Sequence, residues 1–290
     1  MKPSERSVYS AIIDRPPLRL PDRARLVIWP IVNVEVWDID RPMPRQALPA
    51  PTGASIVPDL PNWCWHEYGM RVGFWRLKAA LDRLSIRPTL SVNAAVCEVY
   101  PRIAEAAVAS GWELMGHGYV QVPMPRLENQ REAIHRALDT LERFSGVRPV
   151  GWLGPGLAES LETPDLLAEA GVKYVGDWVY DDEPTEIQTR HGPLVTLPYP
   201  VELNDIPVFL VERCAADGLL RRATDAFERL YAEAAERAKI MAIAVHPYLS
   251  GVPHRIKYFE TLLDELGRHP GVVFWTGAEI LDWYRTARER

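Results

Sequence analysis

Cysteine is scarce: Cys64, Cys97 and Cys214 are the only three in 290 residues, and none falls in a paired spacing. That scarcity excludes a disulfide framework and a cysteine-built zinc motif, and it fits the reduced thiols of a cytosolic protein. No apolar run is long enough to cross a bilayer. Basic clusters are missing too. The net charge is −6, and Arg15, Arg19, Arg23 and Arg25 are spread singly, as on a solvated face rather than a phosphate-binding one. Met1 to Arg25 is polar and Pro-rich without an apolar stretch, so no signal peptide is expected and a cytoplasmic location is. No internal repeat or low-complexity segment occurs. What is present, 47% hydrophobic and 25% charged residues, is ordinary for a globular protein of a length that one α/β barrel uses.

Strand-length apolar runs alternate with amphipathic helical stretches. The pattern predicts strands at Leu26–Val36, Pro88–Val92, Trp112–Met115, Pro149–Leu153, Tyr174–Trp178, Leu194–Leu197, Ile240–Val245 and Val272–Trp275. Between them it predicts helices at Gly73–Leu84, Tyr100–Ala109, Asn129–Phe144, Pro164–Ala170 with Thr163 as N-cap, Gly218–Arg237, Ile256–Gly267 and Ala278–Ala287. Regular alternation implies a mostly parallel sheet, and seven or so βα units over this length favour a barrel. Two long segments, Asp38–Arg71 and Tyr180–Arg213, lack regular periodicity and are rich in Pro and in Trp or Tyr, as binding loops or lids are. Residues 1–24 read as an N-terminal extension and 25–290 as one catalytic barrel.

In such barrels chemistry gathers where strands end. Asn33, Glu35, Asn93, His117, Asp177 and His246 all stand at predicted strand ends. Glu35 interrupts an apolar strand, and a buried carboxylate must be paired, metal-bound or protonated, although an exposed strand end would also explain it. His117 lies between Gly116 and Gly118, which let backbone approach closely; a structural histidine is the plainer alternative. Glu67 and Arg71 form either a substrate clamp or a local ion pair that closes a loop. Asp177, Asp181 and Asp182 could bind substrate or sit in a solvated loop. Trp37, Trp63, Trp65 and Trp178 fit a sugar platform and an apolar lid equally well.

Taken together, these segments resemble the polysaccharide deacetylase (NodB-homology) superfamily over about residues 25–284. Asn33-Val34-Glu35 resembles its acidic first motif, and His117-Gly118-Tyr119-Val120-Gln121 its two-histidine metal motif. Gly151-Trp152-Leu153-Gly154-Pro155-Gly156 resembles the third motif, and Val245-His246-Pro247 the late histidine motif. Two further stretches, Glu67 to Arg76 and His246 to Gly251, are more similar to the cofactor-independent allantoinase and cyclic-imidase branch. The resemblance implies an α/β fold of the distorted (β/α)7-barrel type, hydrolysis of a non-peptide carbon–nitrogen bond, and homo-oligomers.

Departures from the pattern carry information as well. Gln121 stands where a second metal histidine belongs, and a neutral amide is a poor zinc ligand. Leu153 stands where the family places an Arg that orients its catalytic carboxylate. The expectation is therefore a cofactor-free enzyme; zinc, held by Glu35, His117 and Gln121, is the alternative. Glu35 and His117 are expected to activate water and His246 to protonate the leaving nitrogen. Asn33, Glu67, Arg71, Asn93, Gln121 and Trp178 are the expected substrate contacts. A small cyclic amide, imide or ureide is the first-choice substrate, with no nucleic-acid or membrane partner. The alternatives are a metal-dependent N-deacetylase of an acetylated sugar or polysaccharide, and an inactive binding protein on the same fold.

Overall fold

Leu26–Val34 forms strand β1, and all nine of its residues are buried, as a central strand covered on both faces must be. A computed structural model describes residues 1–50, 53–54 and 56–288 of the chain. Positions 51, 52 and 55 of the long Asp38–Arg71 segment, and the last two residues of the expected barrel domain, lie outside the described residues. The remaining strands are β2 (Thr89–Val92), β3 (Glu113–Gly116), β4 (Gly151–Trp152), β5 (Tyr174–Val175), β6 (Thr185–Ile187), β7 (Leu194–Thr196), β8 (Lys239–Val245) and β9 (Val272–Phe274). Their order is β6-β7-β5-β4-β3-β2-β1-β8, with β9 paired to β1. All pairings are parallel except β6 with β7. The sheet curls into a half-barrel: among the described residues there is no strand ladder between β7 and β8, only a bridge from Asn204 to Ala244. The fold is thus the distorted parallel barrel that the alternation implied.

Proline is unusual inside a central strand because it cannot donate to a ladder. Pro30 is tolerated because its nitrogen faces a gap. The Ile28 carbonyl accepts from Trp275 N at 3.0 Å, so the even-numbered residues of β1 turn their peptide groups to that edge. On the same edge the pairing with β9 ends at Ile28 and that with β2 begins at Ile31.

Side-chain parity organises the molecule. Val27, Trp29 and Ile31 of β1, Met115 of β3, and Ile240, Ala242 and Ala244 of β8 pack together inside the curl. Their even and odd counterparts, among them Leu26, Ile28, Leu114, Met241 and Ile243, pack outward beneath the helices. Strand side chains alternate faces, so continuing the inner parity past each strand end gives Asn33 and Glu35, His117, and His246. Four predicted candidates therefore enter one space for a purely local reason.

Differences from the sequence reading are confined to ends and loops. Strand β1 stops at Val34, because Val36 N donates instead to Asn93 Oδ1 at 2.9 Å. Thr163 is the first residue of its helix, not the cap; its hydroxyl accepts from Ser160 N at 2.8 Å and donates to Gln130. The long helix from Gly218 ends at Glu233 rather than Arg237. The segment expected to be irregular before Arg71 holds a helix, Leu60–Tyr68, capped by Asp59. It passes through a wider π turn, Gly69–Gly73, into the helix Phe74–Arg83. Residues 1–25 lie against the barrel. Buried Arg6 bonds both carboxylate oxygens of Asp165, at 3.0 and 2.7 Å, and two backbone carbonyls. No helix among the described residues is long and apolar enough to cross a membrane.

Candidate active site

Glu35 is the hub. It is buried, and it accepts from Gln121 Nε2 at 2.8 Å, Trp37 Nε1 at 2.7 Å and Tyr248 Oη at 3.1 Å. The Nε2 atoms of His117 and of His246 each lie 3.8 Å from its Oε1. Burial alone would raise the Glu35 pKa, but the two histidines and the Trp37 donor outweigh it and hold the group down to about 2. The same carboxylate, after burial, keeps the Tyr248 phenol well above its usual pKa and therefore a donor.

The two histidines have different outer partners, a backbone carbonyl and a carboxylate. His117 Nδ1 lies 2.6 Å from the Leu153 carbonyl, which can only accept, so Nδ1 carries a proton and Nε2 is the atom turned to the cavity. His246 Nδ1 lies 2.6 Å from Asp205 Oδ1. Asp205 Oδ2 accepts from His246 N and from Ser250 Oγ, both at 2.7 Å. Burial would depress the His246 pKa, yet Asp205 and then Glu35 hold it above the ordinary imidazole value. The carboxylate behind His246 favours its protonated form, and both rings present Nε2 to the same space.

These atoms face a cavity of about 180 Å³. Asn33, Glu35, His117, Gln121 and His246 line it, as do three residues that the sequence reading did not select: Arg45, Tyr199 and Asn204. Asp205 was also missed. It lies in a loop of mixed polarity, and only its place between Asn204 and an apolar Ile206 hinted at burial. His66 is fully buried, stacked on Trp37 with ring centroids 4.3 Å apart, and burial lowers its pKa to about 4. It is therefore a neutral plate behind the indole that donates to Glu35.

Four expected substrate contacts do other work. Asn93 is fully buried and spends its amide on Val36 N, the His117 carbonyl and Gln121, so it brackets three strand ends and does not line the cavity. Glu67 and Arg71 form the local ion pair, at 3.4 Å, and Glu67 also accepts from Tyr100. Trp178 donates to Glu159 at 2.9 Å and lines a separate cavity beneath the N-terminal arm. Of the acidic residues after β5, Asp177 accepts from Gly154 N, and Asp181 and Asp182 pair with Arg15 and Lys239.

The stretches Glu67–Arg76 and His246–Gly251 prove to be one packing unit. A Cβ on Gly69 would strike Tyr248, and one on Gly73 would strike the Pro247 carbonyl. Arg76 bonds both Tyr68 Oη and the Gly251 carbonyl. The π turn lets two glycines meet the backbone that carries His246.

A zinc ion held by Glu35, His117 and Gln121 does not fit this arrangement. Gln121 must turn its NH2 to the Glu35 carboxylate, and its amide oxygen accepts from Asn93 at 3.2 Å. Among the described residues no group of three or more His, Cys, Asp or Glu is placed to hold a metal.

No family model matches the chain. It is 28% identical over 239 residues to a Schizosaccharomyces pombe protein named "Putative polysaccharide deacetylase", covering 74% of this chain and 73% of that one. It is 23% identical to a Helicobacter pylori peptidoglycan deacetylase, over 73% of this chain and 83% of the relative. Among solved structures, Puue allantoinase superposes with a TM-score of 0.83 at 25% identity, over 94% of both chains. A "probable Polysaccharide deacetylase" from Pseudomonas aeruginosa PAO1 gives 0.82 at 25% identity, over 94% and 95%.

Proposed function

From membership of the polysaccharide deacetylase superfamily, we propose that this chain hydrolyses a carbon–nitrogen bond other than a peptide bond, with its own side chains moving the protons. One observation carries the reading: a buried carboxylate oxygen shared by two histidine Nε2 atoms, one ring backed by a carbonyl and the other by a carboxylate. A gap of 3.8 Å is long for a direct hydrogen bond and suits a water bridging Glu35 and His117.

In the proposed reaction that water attacks the acyl carbon while His117 Nε2 takes its proton and the Glu35 anion steadies the imidazolium formed. The buried Asn33 amide, whose Nδ2 has no partner among the described residues, donates to the oxyanion. His246 delivers its Nε2 proton to the leaving nitrogen as the C–N bond breaks. Transfer from His117 to His246, across the carboxylate they share, restores the resting state. Water has then been added across one bond.

Of the two finer reactions, the names of the relatives support N-deacetylation, the reading held second in the sequence, over ring opening. Ring opening of a cyclic amide or ureide is favoured by the unfit zinc set and by the likeness to Puue allantoinase. Elemental analysis together with a hydrolysis panel decides. The panel holds N-acetylglucosamine oligomers, allantoin, hydantoin, succinimide and glutarimide, each with and without chelator. Chelator-resistant acetate release supports N-deacetylation by side chains, and chelator-resistant ring opening supports the second reading. Turnover that disappears with one zinc per chain would refute the proton-transfer scheme, and no turnover at all would favour the binding-protein alternative.

A further inference from the structure

We propose that the substrate carries a carboxylate, received by Arg45 at the mouth of the cavity; this rests on the hydrolytic reading of that site. Among the described residues, Arg45 is the only Lys or Arg lining the cavity. It has no ion-pair or hydrogen-bond partner among the described residues, where most arginines near a carboxylate are engaged.

The loop that presents it is anchored on both sides. Met43 is buried before it. After it, Asn62 Oδ1 accepts from Ala47 N and Leu48 N, at 2.8 and 3.0 Å, while its Nδ2 donates to the Leu48 carbonyl. Asn62 is in turn held by Asp59. The guanidinium is therefore directed by a braced loop even though it is itself exposed. Its field reaches the site, since it works against protonation of His246 and favours ionisation of Tyr248.

The opposite end of the cavity is equally specific. Asn33 is 1% exposed, and its Nδ2 completes no hydrogen bond among the described residues, with the Tyr199 hydroxyl its polar neighbour. Asn33 lies within β1, and Glu35 follows just past the strand end at Val34. An acceptor-seeking amide thus sits deep, the proton-transfer groups next, and a cation outermost. Leu157, Val201, Ile206 and Pro207 supply apolar wall. A molecule matching this sequence has an acyl oxygen at one end and a carboxylate at the other. Arg is suited to that partner because its planar fork can bind both carboxylate oxygens.

Matched pairs test the inference: N-acetylglucosamine against N-acetylmuramic acid, and dihydrouracil against dihydroorotate, each differing by one carboxylate-bearing group. In wild type the carboxylate member should have the higher kcat/KM, by roughly tenfold to a hundredfold for a charge-assisted bond. Arg45→Gln should collapse that ratio through KM. Equal kcat/KM within both pairs, or a preference that survives in Arg45→Gln, overturns the inference and leaves the hydrolytic reading intact. Should neither pair be turned over, calorimetric titration with dihydroorotate and dihydrouracil separates the two ideas. A carboxylate preference lost in Arg45→Gln then upholds the anion site while hydrolysis fails; no preference overturns both.

Discussion

Replacing Asp205 by Asn should convert His246 from a proton donor into a neutral ring. Asp205 is fully buried and accepts three hydrogen bonds, two of them from His246. Asn keeps the shape but removes the charge and leaves one donor facing another. A hydrogen bond to a charged partner contributes about 1.5–3 kcal/mol, and about 1.36 kcal/mol corresponds to one pKa unit. The His246 pKa should therefore fall, because burial is then opposed by Glu35 alone. The sign for stability follows. A raised histidine pKa stabilises the fold fully below 6.5 and ceases to do so as pH rises through the folded value, so wild type should lose this contribution on the alkaline side. Asp205→Asn should lack it at every pH. Nitrogen-15 NMR titration of the imidazoles, with His246→Gln to assign the resonance, measures the shift without any substrate. If His246 titrates at the same pH in both proteins, Asp205 does not set its state and the assignment of His246 as acid fails. On a substrate that is turned over, kcat should drop by roughly 10²–10⁴-fold.

Other perturbations address separate links. Arg6→Met leaves the Asp165 carboxylate without its buried partner and should cost about 3–5 kcal/mol in urea unfolding; adding Asp165→Leu should recover most of it, because a matched apolar pair removes the stranded charge. Gly73→Ala would press a methyl onto the Pro247 carbonyl and move the His246 loop, so activity should fall further than stability, compared by kcat and thermal melting. Gln121→His offers a third ligand beside Glu35 and His117, and the variant should retain zinc through dialysis where wild type does not; equal zinc content in both would show that Gln121 is no barrier. In acid, Glu35 should contribute stability above its unfolded value near 4.5 that is lost as pH falls toward about 2, which a wild-type melting series below pH 5 against Glu35→Gln will reveal.

The clustering of the proposed catalytic set was legible because it obeys strand parity. Glu35, His117 and His246 each stand an even number of residues beyond an inward-facing apolar side chain, namely Ile31, Met115 and Ala244. Period-2 alternation therefore brings them into one lumen once the strands are recognised, with no long-range information needed. The helix Leu60–Tyr68 was hidden for the opposite reason. Its mean polarity is mixed, it carries two tryptophans and a histidine, and it runs into a π turn whose extra residue breaks the 3.6-residue rhythm.

Polar side chains whose meaning depends on a partner far away in sequence could not be read the same way. Asn93 and Asn33 have the same chemistry and the same strand-end position. Asn93 faces the seam between β1 and β3, where two chain ends consume its amide, while Asn33 faces the open lumen, where nothing does. Glu67 and Arg71 are four residues apart on one helical path, so each satisfies the other locally and neither is free for a ligand. Arg45 and Asp205 are the converse. They lie in segments whose sequence shows no periodicity, yet one comes to the cavity mouth unpaired and the other, at the start of the helical turn that leads into Pro207–Val211, reaches His246, 41 residues away. What separates a ligand-binding polar group from a structural one here is whether its hydrogen bonds are already spent, and that account closes only when distant segments are brought together.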